Sequence, residues 1–487
     1  MCGVCSDGYA YRSSTQRCGS CSEASSLDAV AIVLFCVLGI LLLGAVYVFF
    51  FTDLLKKVKS ADELNVLVFS KLGLIGISPD VSVMDEARTT GRHLKARVKI
   101  YITLWQIVSL LPFTLGLSFP NVYSTIAAAL NVFNVGVSTS SLVTCSADDG
   151  YDAIDALVVT TVYPVVIVLL LKAVATAHTH VRSHLGPVEI SQLKARYFNV
   201  FLVFTYLILP YTSVQIFQTF SCQDVDPDDV DSGDDRYMTV DYSVSCSSSK
   251  YEFGFVWAIV SILVYPVGIP AYYFYILYSA RHDIRSRGDS MASFAASDEA
   301  AVRLNPIRLL FEYYRPELWY WEVVETLNRL FLTGVLVVIA QGSAVQIIVG
   351  LAASLFFLKL CDVHRPFVDA KVQTMKEMSL WQIVLIFLLA LLLKADFSSV
   401  DTKAVDVFLV LAIFSALIAD IVQALWWSCS RRHAHQLARS DLKGQSSAVS
   451  GGEADSKVVN PLAESACCAE DERGIGMAPI SSSTTDP

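Results

Sequence analysis

Nine apolar runs, each 18 to 25 residues long, are separated by polar segments along this chain of 487 residues. A helix needs about 20 consecutive apolar residues to cross the hydrocarbon core of a bilayer. An open sheet cannot lie in lipid, and the runs lack the alternation of membrane β-barrel strands. We therefore predict an all-α polytopic membrane protein. The nine predicted spans are 28–51, 100–119, 153–173, 197–217, 254–278, 320–340, 344–361, 378–395 and 404–427.

The composition and the placement of basic residues agree with this prediction. Only 17% of the residues are charged, below the share of about 25% in soluble proteins. Cytoplasmic loops of membrane proteins are enriched in Lys and Arg. With the N-terminus outside, the inner segments hold 29 of the 36 Lys and Arg residues and the outer segments hold 6. We expect an outside N-terminus, a cytoplasmic C-terminus, a plasma-membrane or endomembrane location, and no nucleic-acid partner.

The chain is predicted to have three parts. Residues 1–27 form an extracellular cysteine-rich segment, 28–427 form the membrane domain that contacts the lipid bilayer, and 428–487 form a polar tail. The tail has too few apolar residues to build a core, so we expect it to be disordered. The inner loop 279–319 and the tail are the expected places for a cytoplasmic partner. The segment 121–145 is apolar but rich in Asn, Ser and Thr, which favours a re-entrant element.

The pentapeptide LWQIV occurs twice, each time at the start of a predicted span. Trp105 and Trp381 are predicted to anchor these spans at the inner headgroup level, where indole rings prefer to lie. Gln106 and Gln382 follow one residue deeper and are expected to hydrogen-bond across helices. The flanking residues align poorly, so a shared anchor is favoured over an internal duplication. A ligand role for the glutamines is the less favoured alternative.

Cysteine spacing predicts disulfides at two places. A group near the N-terminus has the spacing of a zinc ribbon, but the charge count places it outside, where disulfides form. Disulfides are therefore favoured there, with zinc as the alternative. This group consists of Cys2, Cys5, Cys18 and Cys21. Cys222 and Cys246 bracket one outer loop and are expected to close it as a disulfide.

The same outer loop is strongly acidic. Asp224, Asp226, Asp228 and Asp235 match positions 1, 3, 5 and 12 of a calcium-binding loop. Position 6 is Asp229 where the turn requires Gly, and position 12 is Asp where a bidentate Glu is typical. A solvated acidic loop is therefore the favoured interpretation, and calcium binding is the alternative. The loop's field can also attract cations to an outer vestibule.

Charged residues also occur inside predicted spans, where they are costly and usually face protein or water. Glu322, Glu325 and Arg329 follow at i, i+3 and i+7 on one face of the sixth span, with Glu325 and Arg329 as an i,i+4 pair. A packed ion pair near the inner leaflet is favoured, and a polar pathway or gate is the alternative. Asp420 lies deep in the last span without a charged neighbour in sequence.

Several blocks of the sequence carry a family resemblance. They are CGVCSDGYAYRSSTQRCGSC, KIYITLWQIV, YPVGIP, YYRPELWYWEVVETLNRLFLTGVL and CDVHRPFVDAKVQTMKEMSLWQ. Together they resemble a family of protist membrane proteins that join ephrin-receptor-like cysteine-rich repeats to a transient-receptor-potential-like C-terminal transmembrane domain. The resemblance covers about residues 1–430 and implies a channel-like domain. The chain begins within such a cysteine pattern, so we expect a longer natural ectodomain.

The sequence contains none of the common catalytic motifs considered, and the resemblance favours transport. HExxH, P-loop and GxSxG motifs do not occur in the sequence, so we predict that the protein is not an enzyme. We expect no cofactor, with calcium at the acidic loop as the alternative. The favoured function is a channel-like protein that moves ions, with lipid as an alternative cargo. A cell-surface receptor or adhesion protein is the alternative function. The link 341–343 between the sixth and seventh spans is too short for a pore loop, which argues against a conventional tetrameric cation channel.

Overall fold

The fold is taken from a computed structural model of the chain. The structure describes residues 9–12, 17–20, 81–117, 119–134, 136, 151–183, 186–224, 236–286, 304–395, 407–415 and 418. The predicted span 28–51, the tail 428–487 and Asp420 lie outside the described residues.

Helices make up most of the described part. They are α1 (Val81–Leu115), α2 (Asn121–Leu130), α3 (Ala153–Val181), α4 (Pro187–Gln218), α5 (Ser249–Val264), α6 (Gly268–Ser286), α7 (Arg308–Phe311), α8 (Trp321–Leu330), α9 (Leu336–Val338), α10 (Ala344–His364) and α11 (Ala370–Lys394). Short 3₁₀ turns lie at Asn131–Asn134, Asn305–Ile307 and Pro316–Leu318, and residues 407–415 are also helical. The predicted re-entrant segment contains α2, whose ten residues are too short to cross a bilayer.

Within the described residues, six helical segments are long and apolar enough to cross a membrane. They are Lys95–Leu115, Ala153–Val181, Pro187–Gln218, Ser249–Ser286, Ala344–His364 and Ala370–Lys394. These segments coincide with the predicted spans that start at 100, 153, 197, 254, 344 and 378. The chain is therefore a helical membrane protein, while the number of nine spans and the orientation stay predictions.

Apolar side chains cover the outside of these helices as well as the inside. Leu169 and Leu170 on α3 are each 60% exposed, and only 28% of an apolar 18-residue stretch within Ser249–Ser286 is buried. A water-facing helix would carry polar residues on that side. The interior, in contrast, holds many buried polar groups, including Gln106, Glu322 and Arg329. This distribution is typical of a protein whose outer surface faces lipid.

The predicted span 320–340 differs from one regular helix. Its backbone runs through α8, a π-helical turn at Phe331–Val335, and α9. The hydroxyl of Thr333 donates to the Arg329 carbonyl at 2.8 Å, and the Thr333 carbonyl accepts from the Thr114 hydroxyl at 2.8 Å. Side chains that insert into the backbone ladder distort helices in this way, and π-turns are frequent at functional sites.

The helices α10 and α11 form a closely packed hairpin. The chain leaves α10 at Arg365, which has a left-handed φ of 43°, and the carboxylate of Asp369 accepts the Lys371 N–H at 2.9 Å to cap α11. Gly350 lets the two helices approach, because a Cβ there would lie 2.4 Å from the ring of Phe387. The main apolar core lies between α1, α10 and α11.

Two small antiparallel sheets depart from the all-α prediction. The strands β1 (Tyr9–Arg12) and β2 (Arg17–Ser20) form a hairpin. The strands β3 (Cys222–Asp224), β4 (Arg236–Met238) and β5 (Asp241–Ser245) form a three-stranded sheet between α4 and α5. Cys222 and Cys246 form the predicted disulfide, with Cα atoms 6.5 Å apart. The loop predicted as solvated is therefore ordered at both ends.

Candidate functional site

Five charged side chains meet in the interior of the membrane domain. They are Lys99 of α1, Glu322, Glu325 and Arg329 of α8, and Lys376 of α11. Glu322 and Arg329 are at most 1% exposed. Burying charges at this depth is costly unless they are paired and hydrogen-bonded. We refer to these five residues as the charged cluster.

Both carboxylates of the charged cluster pair with lysines from other helices. Glu322 binds Lys99 of α1, and the ammonium of Lys99 also donates to the Leu309 carbonyl at 3.3 Å. Glu325 Oε2 lies 2.5 Å from Lys376 Nζ of α11. The other oxygen of Glu325 accepts from the indole N–H of Trp321 at 3.2 Å. Two parallel ion pairs therefore attach α8 to α1 on one side and to α11 on the other.

Arg329 has a polar partner, but no carboxylate among the described residues is paired with it. Its Nη1 donates to Gln106 Oε1 at 2.9 Å, and the guanidinium carbon lies 4.0 Å from the ring centroid of Tyr206. A guanidinium over an aromatic face is stabilised by the ring quadrupole, more so when it is desolvated. The predicted i,i+4 pair between Glu325 and Arg329 is wrong, because Glu325 reaches across to Lys376 instead. The i,i+4 rule considers only neighbours on the same helix, so it omits partners on other helices.

Tyrosines line one side of the charged cluster. The hydroxyl of Tyr314 donates to Glu322 Oε2 at 2.9 Å. Burial, followed by the nearby Glu322 carboxylate, raises the pKa of Tyr314 well above its ordinary value, so this hydroxyl remains a donor. Backbone pairing fixes its position, since Arg315 N–H donates to the Pro366 carbonyl and Val368 N–H to the Tyr313 carbonyl.

A small cavity lies within the charged cluster. Its volume is about 20 Å³, and its walls include all five charged side chains. Glu322 Oε1 and Arg329 Nη2 are buried here without a hydrogen-bond partner among the described residues. A space of this size holds about one water molecule, which can satisfy both a carboxylate oxygen and a guanidinium N–H. The cluster in this conformation is therefore closed to anything larger than water.

Buried and half-buried polar side chains continue from the charged cluster along α1 and its neighbours. We call this set the polar row: Thr103, Gln106, Ser109, Thr114, Asn134, Thr333, Gln346 and Gln341. Gln106 Nε2 donates to the Phe133 and Leu207 carbonyls, both at 2.9 Å. From Lys99 to Thr114 the row follows α1 for about 22 Å at 1.5 Å per residue. This length is a large part of the bilayer core of about 30 Å.

The far end of the polar row lies beside the three-stranded sheet. Asn134 donates to Ser109 Oγ at 2.7 Å, and Gln346 Nε2 donates to the Thr114 carbonyl at 2.8 Å. Ser221, the residue before β3, donates to Gln341 Oε1 at 2.5 Å. The row thus links the charged cluster to the disulfide-closed loop.

The two LWQIV copies occupy comparable but unequal positions. Gln106 and Gln382 are both buried, and Gln382 Nε2 donates to Ser415 Oγ at 2.7 Å. Trp105 packs against Phe133 with ring centroids 5.0 Å apart, whereas Trp381 is 53% exposed. The placement of the two tryptophans at the headgroup level stays a prediction.

Lys99 and Lys376 are the members of the charged cluster that sequence reasoning missed. Both were counted only as basic residues of inner segments. Each precedes an LWQIV copy, Lys99 by five residues and Lys376 by four, and each pairs with a glutamate of α8. A lysine four or five residues before each copy of a repeated, Gln-containing motif is the signal that could have marked them.

The other predicted sites are only partly within the described residues. Asp224 lies in β3 opposite Arg236, while Asp226, Asp228 and Asp235 lie outside, so calcium binding stays a prediction. The disulfides predicted among Cys2, Cys5, Cys18 and Cys21 also lie outside the described side chains. Across the described ranges, no group of three His, Cys, Asp or Glu side chains is arranged to hold a metal ion.

Comparisons with known proteins add no assignment. No family model matches this chain, and neither a curated protein nor a solved structure matches it. The charged cluster and the polar row are therefore the features that bear on the function.

Proposed function

We propose that the chain is a channel-like membrane transport protein that moves ions, with lipid as the alternative cargo. The observation that carries this proposal is the continuity of the polar row with the charged cluster. Polar and charged groups inside a membrane domain are expensive and commonly mark ion pathways. The resemblance to transient-receptor-potential-like domains points to the same class of function.

The charged cluster fits the role of a gate in its closed state. The Lys99–Glu322 and Lys376–Glu325 pairs hold three helices together, and the cavity between them is only about 20 Å³. An ion cannot pass until these pairs separate. The hydroxyl and amide groups of the polar row can then replace part of the ion's hydration shell, as pore-lining groups do in channels.

The test is ion flux through the full chain reconstituted into proteoliposomes. Glu325→Gln removes the carboxylate that holds Lys376, so we expect an increased or less selective flux. The matched control is Asp362→Asn, which disrupts an exposed pair with Lys359 on α10 and should leave flux unchanged. Retained helical content and a monodisperse elution profile show that each variant is folded.

Two outcomes would overturn the proposal. One is the same flux in Glu325→Gln as in the unaltered chain. The other is no flux from a folded sample under any condition, including calcium and membrane tension. The second result favours a receptor or adhesion protein, for which loop 279–319 and the tail would be the segments that bind cytoplasmic proteins.

A further inference from the structure

The helical segment Ser249–Ser286 is broken at Tyr265–Val267, between α5 and α6. Pro266 has no N–H to offer to the Ile262 carbonyl, and the N–H of Val267 donates to that carbonyl instead, at 3.0 Å. At Gly268, a Cβ would lie 2.7 Å from the Leu263 carbonyl oxygen. Pro266 and Gly268 therefore determine the position of the break.

A groove of about 290 Å³ lies between this break and α4. Thr205 of α4 and Tyr273 of α6 form its buried floor, and Leu263, Val264 and Tyr272 line its sides. The floor hydroxyls are hydrogen-bonded to each other at 2.8 Å, and the Thr205 hydroxyl also donates to the Phe201 carbonyl at 3.0 Å. Because both hydroxyls already have partners, the groove favours an apolar guest over a polar one.

The mouth of the groove faces outward among apolar side chains. Leu263 is 65% exposed and Val264 is 50% exposed, on the least buried of the six membrane-length segments in the described residues. In a helical membrane protein such a surface is in contact with lipid. Hydrocarbon is then the medium at the mouth of the groove. A peptide would have to bury its backbone polar groups there without partners, which is costly.

We propose that this groove binds one acyl chain of a membrane lipid. Its volume is near the lower end of the range for small-molecule sites, about 300–1,000 Å³, and its lining is mainly aromatic and aliphatic. The floor residue Thr205 is adjacent in sequence to Tyr206, whose ring lies under Arg329. The bound acyl chain therefore contacts a different face of the helix that also forms one wall of the charged cluster. Binding does not depend on the proposed transport function.

The experiment uses the full chain in phosphatidylcholine vesicles that contain a phospholipid with a photoactivatable diazirine on its acyl chain. After illumination, the labelled peptides are identified by mass spectrometry. We expect labelling concentrated at 263–273 and 201–205. Val264→Trp places a large ring in the groove and should lower this labelling severalfold. Val256 is on the same helix, is 61% exposed and lies outside the groove. Val256→Trp is therefore the control and should leave the labelling of the groove unchanged.

The proposal is overturned if the label is spread evenly along the exposed apolar faces, because that pattern indicates only surrounding bilayer lipid. It is also overturned if Val264→Trp retains the full labelling of the groove. Leu263→Phe is a second filling variant at a more exposed position and serves if Val264→Trp does not fold. Each variant is compared with the unaltered chain for thermal stability before labelling.

Discussion

Glu325 Oε2 and Lys376 Nζ lie 2.5 Å apart, and their side chains are only 11% and 5% exposed. The pair joins two helices that are distant in sequence and sits in the interior of a membrane domain. Removing one member of a buried ion pair leaves an uncompensated charge, whereas removing both members does not.

Lys376→Met should lower the free energy of unfolding by about 3 kcal/mol. The double variant Lys376→Met/Glu325→Gln should recover much of this loss, because it leaves no buried charge. Unfolding in detergent measures the free energy of the single and the double variants. A double-mutant cycle built from these values isolates the coupling between the two residues. Lys359→Met is the matched control, since its pair with Asp362 is exposed and worth about 0–1 kcal/mol. Additive effects of the two cluster substitutions would contradict the prediction.

The two LWQIV glutamines should differ in their contribution to stability. Gln106→Leu removes the acceptor of Arg329 Nη1 and the donor to two carbonyls, whereas Gln382→Leu removes bonds to Ser415 and Ile413. Leaving a buried charged donor unpaired costs more than losing neutral bonds. We expect a loss of about 2–3 kcal/mol for Gln106→Leu and about 1 kcal/mol for Gln382→Leu. Thermal unfolding of the two variants, made in parallel, measures the difference, and equal losses would argue against the role of Arg329.

Gly350→Ala should destabilise the hairpin of α10 and α11. The added methyl group would lie 2.4 Å from the ring of Phe387, so the ring or the helix must move. Overpacking of this kind costs about 1–3 kcal/mol. Phe387→Leu removes the ring and should make Gly350→Ala much less harmful in the same background. If the alanine is equally harmful in both backgrounds, the close contact is not the cause.

Removing the Cys222–Cys246 disulfide should lower stability by about 2–4 kcal/mol. The variant with serine at both positions should unfold more easily than the oxidised chain. A reducing agent should lower the unaltered chain to the level of this variant and have no effect on the variant itself. Thermal unfolding with and without reductant measures both effects. A variant that is as stable as the oxidised chain would contradict the prediction.

The spans and the polar residues within them were largely predictable from the sequence. Lipid imposes a minimum length on apolar helices, so the runs at 153–173 and 344–361 have few alternative interpretations. The disulfide of Cys222 with Cys246 was also predictable, because the two residues bracket one loop. Pro266 lacks the N–H that a continuous helix requires, so a break near it can be predicted from the sequence, whereas the groove beside the break cannot.

The pairing inside the charged cluster was not predictable from one sequence. Glu322 and Lys99 are 223 positions apart, and Glu325 and Lys376 are 51 apart. The count of basic residues that assigns orientation includes Lys99 and Lys376 but does not show that their side chains point toward glutamates of α8. Local i,i+4 rules therefore assigned Glu325 to Arg329, whereas the packing of α11 against α1 and α8 provides a nearer partner.

The π-helical turn at Phe331–Val335 acts as a phase shift between the two halves of its helix. One additional residue in a turn rotates everything beyond it by about 100° relative to an unbroken α-helix. The charged face that holds Glu322 and Arg329 therefore does not continue toward Leu336, and the two halves present independent faces to their neighbours. Losing a single residue from this turn would realign them, so this part of the chain is sensitive to length as well as to composition.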